Sequence, residues 1–322
     1  MTTNDSRGIS RRGVLAAGGT TATIGLAGCL GGGAEPSDDA GQGDDELSAV
    51  NGSFFMLYDL ARNVAGDALR VEDLVPAGAH GDDWEPSPGI IEDVADSDVF
   101  VYIGGFRGWS DRVAESLPDD YPDVVVIDAA EGIDHIEGES GRAIDPHFWL
   151  DPVRTREAVE NIRDGFVEAD PDNATVYEEN ADAFLDRLDD VHVRYEEAMA
   201  HRNRDVIVVG SHDSYQYWRA RYDVEIHSPV GISPDGEPTP REMEEISDII
   251  ERYDLKYVLY DMYEPADYAE SLANETGTET LPLSPIEATT EEQLEEEMGY
   301  VEHMLDINLT TLEQALEVEY DA

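Results

Sequence analysis

The chain has 322 residues, with 74 acidic and 20 basic side chains and a formal net charge of −54. So large an acidic excess repels nucleic acid and anionic lipid surfaces. A single cysteine excludes any disulfide within the chain.

The N-terminal 28 residues stand apart from the fold. SRRGVL at 10–15 is a twin-arginine start, and a small-residue apolar stretch leads from it to LAGC at 26–29. With the only cysteine at its end, this segment (1–28) resembles a twin-arginine lipoprotein signal, and the resemblance implies that Cys29 is lipidated. Residues 29–47 are Gly, Ser, Pro and acid with almost nothing to bury, the composition of a flexible acidic tether. No second hydrophobic span is long enough to cross a bilayer. The remaining ~275 residues are the size of two ordinary domains.

Acids are spread through every helical stretch, and Lys256 is the only lysine. This resembles the surface of a halophile's protein. At molar salt the Debye length is only ~3 Å, so acidity by itself is no sign of a cation site, and any metal selectivity rests on close ligand geometry.

Two strand-and-helix series follow. The first has strand-like runs at 47–51, 68–76, 98–103 and 123–128, with helical stretches at 55–64 and 88–96. The second has strands at 205–210, 224–227, 256–261 and 278–283, with amphipathic segments at 239–252, 265–276 and 290–312. Such alternation predicts parallel α/β sheets, with ligands gathering at the carboxyl ends of the strands. Between the series runs a long helix over 171–199, capped by Asp170 with Pro171 at its first position. Its apolar residues Tyr177, Ala181, Phe184, Leu188, Val191, Tyr195 and Ala198 alternate steps of four and three and keep one stripe. At 1.5 Å per residue it spans about 43 Å, enough for a strut along both domains. The organisation expected is an N-terminal lobe at 48–170, the linking helix at 171–199 and a C-terminal lobe at 200–322.

Three loops carry candidate chemistry. VPAGAHGDDWEPSP (75–88) follows a strand and holds His80 and Asp82; DPHFWLDP (145–152) sets His147 between prolines, aromatics and carboxylates; GSHDSYQYW (210–218) sets His212 after an apolar strand. Imidazoles and carboxylates from separate loops are what a metal ion requires around it. None of the three is a tight local motif, so spacing leaves a metal site and three packed loops equally open.

These loops, the long helix and AESLANETG at 269–277 together resemble the cluster A-I solute-binding proteins of metal ABC transporters, the zinc and manganese binders. The likeness runs from SFFMLYDLA (53–61) to about residue 312. It implies two α/β lobes joined by one backbone helix, a Zn²⁺ or Mn²⁺ ion in the cleft between them, and delivery to a permease with a separate ATPase. On this likeness His147 and His212 match the second and third ligands. The first ligand falls on Asp82 in an ungapped match, with His80 two residues earlier as the other choice. The fourth falls on Ser284 in LSPIE (283–287), a poor ligand, which leaves Glu287, Asp261 or water. Two imidazoles with two oxygens lean towards Mn²⁺, three imidazoles towards Zn²⁺, and His212 keeps zinc ahead. His192, His201 and His303 read as solvated helix positions, and His227 as a strand-end residue that is not a ligand, with lining the cleft as its lesser alternative.

The expected protein is therefore a non-enzymatic, monomeric metal receptor, exported by the twin-arginine route and lipid-anchored on the outer face of the cell membrane. It does not bind nucleic acid. Other readings are a metallohydrolase, a chelate-binding receptor, and an adhesion module with a degenerate metal site.

Overall fold

The computed structural model describes residues 47–51, 54–79, 84, 86–105, 108–138, 144–231 and 236–320. The signal, Cys29, most of the tether, His80 and Asp82 lie outside the described residues. Among the described residues no helix is long and apolar enough to cross a membrane.

The first four strands, β1 (Ser48–Asn51), β2 (Arg70–Asp73), β3 (Val99–Tyr102) and β4 (Val125–Asp128), form one parallel sheet in the order β2-β1-β3-β4. Helices α1 (Phe55–Ala65), α2 (Ile90–Ala95) and α3 (Trp109–Asp120) connect them. Val99, Phe100 and Val101 are all buried, as in a strand covered on both faces. Helix α4 (Pro152–Ala169) starts where the Asp151 side chain accepts from Val153 N at 3.0 Å, with Pro152 in the first turn where no donor is needed.

In the second half, β5 (Val206–Val208) pairs with β6 (Glu225–His227), and β7 (Tyr257–Asp261) with β8 (Glu279–Leu283), all parallel. A parallel bridge between Val209 and Leu259 joins the two ribbons, so the order is β6-β5-β7-β8. This is the winding of the first sheet repeated. Helices α5 (Ala174–Ala200), α6 (Gln216–Tyr222), α7 (Pro240–Tyr253) and α8 (Asp267–Thr276) accompany these strands. Just beyond β5, a Cβ on Gly210 would meet Ala269 Cα at 2.6 Å, so only glycine lets the chain approach α8 this closely.

The long helix is α5. Every residue of its expected apolar stripe is buried. It packs against α1, α4, α6 and the C-terminal helical segments. Its start differs from expectation: Pro171–Asn173 is a separate tight turn, because Asp170 takes hydrogen bonds from Asn173 Nδ2 and Tyr177 Oη instead of capping the helix.

The expected helix over 290–312 is broken into α9 (Glu291–Glu295), α10 (Tyr300–Glu302), a π-helical segment (His303–Leu309) and α11 (Thr310–Ala315). Gly299 makes the break, close enough to Asp59 that a Cβ would meet its carboxylate at 2.7 Å, while Tyr300 N donates to Asp59 Oδ2 at 2.8 Å. This hydrogen bond carries the C-terminal segment back onto α1.

Candidate metal centre

His147 lies between the bridge at Ile144 and a short turn, Phe148–Leu150, that leads into α4. Asp145 Oδ1 accepts from both the backbone N of His147 (3.1 Å) and its Nδ1 (2.7 Å). A carboxylate on Nδ1 fixes the tautomer and leaves Nε2 as the nitrogen open to a ligand. That Nε2 lies 3.0 Å from Glu287 Oε1, with both side chains fully buried. Burial pulls the imidazole pKa down, but the charges and hydrogen bonds of Asp145 and Glu287 outweigh it and hold it at about 9. Trp149 backs the loop and donates from Nε1 to Pro285 O at 2.7 Å, tying it to the turn that carries Glu287.

That turn, after β8, is strained. Ile286 has φ of 62°, a left-handed conformation rare for a β-branched residue and costing roughly 1–3 kcal/mol. It is held there from three sides. Ser284 Oγ accepts from Ile286 N, Met56 N donates to Ile286 O, and Phe55 N donates to Glu287 O. The result aims a buried carboxylate at two imidazoles.

His212 follows the end of β5. Its Nε2 faces Ser214 Oγ and, at 3.6 Å, Glu287 Oε1; its Nδ1 lies 2.8 Å from Glu264 Oε1 and 3.9 Å from Asp261 Oδ2. Burial lowers its pKa, and the hydrogen bonds and charges of Glu264 and Glu287 more than reverse this, raising it well above the ordinary value. His147, His212 and Glu287 each offer a donor atom within 4.8 Å of the others. Donors around a tetrahedral zinc with bonds of about 2.0–2.1 Å stand about 3.3 Å apart. The separations of 3.0 and 3.6 Å lie on either side of that spacing.

Of the residues expected from the sequence, His147, His212 and Glu287 meet in one buried cluster. Asp261 instead stands on the Nδ1 side of His212. Ser284 receives no imidazole of the cluster: its hydroxyl binds His303 Nδ1 at 2.8 Å. His303 is a correction, being fully buried where a solvated helix position was expected, because the π-helical turn rotates it inward. Burial lowers its pKa to about 4. His227 pairs with Glu225 of its own strand at 2.7 Å and is not part of the cluster.

Two members were missed. Glu264 lies in the turn after β7, an acid at a strand end before a proline, and the rule that selected His212 would have selected it. Tyr215 gave no signal: its fully buried hydroxyl has no hydrogen-bond partner among the described residues. Burial and the charges of Asp261, Glu287 and Glu264 push its pKa well up, so it sits in the field of these carboxylates.

Two parallel α/β sheets of like winding, a helix shared by both, and buried imidazoles and carboxylates at strand ends define a two-lobed solute-binding protein with a metal-type centre. Residues 50–315 match the family model described as zinc-uptake complex component A, periplasmic (ZnuA), and the chain belongs to that family. It is 30% identical over 292 residues to the zinc-binding lipoprotein AdcA of Streptococcus pneumoniae, covering 86% of this chain but 57% of that protein. It is 27% identical to the high-affinity zinc uptake system protein ZnuA of Bacillus subtilis, covering 85% of this chain and 89% of the relative. The crystal structure of the Zn(II)-bound ZnuA-like domain of S. pneumoniae AdcA superposes with a TM-score of 0.73 at 28% identity, covering 84% of this chain and 99% of that one.

Proposed function

We propose that this chain is the extracytoplasmic substrate-binding component of a metal ABC importer, capturing Zn²⁺ and delivering it to a membrane permease driven by a separate ATPase. The observation that carries the reading is the convergence of His147 Nε2, His212 and Glu287 in a buried pocket. His147, His212 and Glu287 supply three ligands, and His80 or Asp82 supplies the fourth. Buried imidazoles suit borderline-soft Zn²⁺ better than Mn²⁺, which prefers a shell of oxygens. The named zinc binders among the relatives support the same ion.

The chemistry is binding and release, with no catalytic step. Export follows the twin-arginine route, and Cys29 anchors a monomer at the outer face of the membrane. Lobes at 48–170 and 200–322 are joined through the helix at 171–199.

Metal analysis and thermal shifts in high salt test the reading. Zn²⁺ raises the unfolding midpoint of the parent protein far more than Mn²⁺ does, and His147→Ala loses the response. Equal responses from parent and variant, seen only at millimolar metal, would reject it. His80→Ala and Asp82→Ala, run in parallel, identify the fourth ligand by which of them weakens zinc binding.

A further inference from the structure

His212 turns a different nitrogen to each of two clusters. Nε2 faces Glu287 on the His147 side, and Nδ1 faces Glu264 at 2.8 Å and Asp261 at 3.9 Å. The donors of His212, Asp261 and Glu264 also lie within 4.8 Å of one another. These separations again bracket the roughly 3.3 Å between donors of a tetrahedral zinc. Asp261 is buried, whereas Glu264 is half-buried and lines a cavity of about 330 Å³ together with Ser211, His212, Asp267 and Tyr268. The Tyr215 hydroxyl, buried and without a hydrogen-bond partner among the described residues, lies in the field of Asp261, Glu287 and Glu264, the carboxylates of both clusters.

We propose that His212 Nδ1, Asp261 and Glu264 form a second cation post, which a Zn²⁺ ion reaches first from this cavity before passing to the His147–Glu287 post. The inference rests on the zinc-receptor reading. A neutral imidazole offers one lone pair to a metal, and its other nitrogen carries the proton. At the outer post the ion takes Nδ1, and Nε2–H donates to Ser214 or Glu287. At the inner post it takes Nε2, and Nδ1–H donates to Glu264. Passage between them changes the ring's tautomer: one proton leaves Nε2 to solvent and one returns to Nδ1 from water in the cavity that His212 and Glu264 line, so the ring's proton count is unchanged. The two posts exclude each other, and the chain holds one ion although it has two places for it.

Zinc stoichiometry and stopped-flow association, measured on the full chain in molar salt, test this with Glu264→Gln, Glu287→Gln and the double variant. The parent binds one ion. Glu264→Gln slows association by about tenfold or more while still binding one ion at equilibrium. Glu287→Gln keeps one weakly held ion, and the double variant loses it. Two ions bound at once by the parent, or Glu287→Gln binding that Glu264→Gln leaves unchanged, overturn the second post. So does a Glu264→Gln effect confined to the dissociation rate, since that is the mark of a residue that only orients His212. A parent chain that binds no Zn²⁺ overturns the receptor reading itself, and is recognised before any variant is compared.

Discussion

One carboxylate decides which nitrogen of His147 turns to Glu287. Asp145 holds both the backbone N and Nδ1 of the residue two positions on, so the ring is oriented by its own loop. Asp145→Ala is therefore expected to weaken zinc binding by about 10–100-fold while leaving all the ligands in place. Competition with a chromophoric chelator measures this, and an unchanged affinity would show that the loop is rigid without its clamp. His147 and His212 were legible because prolines, aromatics and strand ends mark stiff presentation in the sequence itself. Glu287 was legible only as one of several oxygens. Its selection depends on a left-handed Ile286, and no residue preference announces that conformation in a β-branched side chain.

At the scale of elements, the close approach of β5 to α8 makes Gly210 a packing residue. Gly210→Ala is expected to lower stability by about 1–3 kcal/mol through overpacking, read from denaturant unfolding of the metal-free protein. An unchanged midpoint would mean that α8 shifts freely. The π-helical turn makes a second, pH-dependent expectation. His303 has a folded pKa of about 4 against an ordinary 6.5, so the folded state resists protonation that the unfolded chain accepts. Stability from this group is present above pH 6.5 and is lost as pH falls towards 4. His303→Gln removes that component, so unfolding midpoints of parent and variant converge on acidification; parallel curves would exclude it. Strands and helices were legible wherever periodicity ran unbroken, as along α5. The 290–312 segment was not, because its break depends on Gly299 meeting Asp59, a contact 240 residues apart in the chain.

For the whole molecule, 74 acids against 20 bases set the conditions under which it is stable. Self-repulsion opposes compaction, and salt shortens its reach from about 10 Å at 0.1 M to about 3 Å at 1 M. The unfolding midpoint of the metal-free chain is expected to rise as salt is raised over that range, and scanning calorimetry checks it. A midpoint indifferent to salt would separate the acidic surface from halophilic stability. That two α/β sheets are present could be read from the alternation of elements, but their shared winding could not, because strand order lies in pairings that no local pattern encodes. The single helix on which helices of both halves pack has a mechanical consequence. A rod of 27 residues is about 40 Å long. Tilting it by about 3° swings its far end by about 2 Å, as long as a zinc–nitrogen bond. As a lever, α5 turns a tilt too slight to disturb either core into a displacement of about one bond length at its far end.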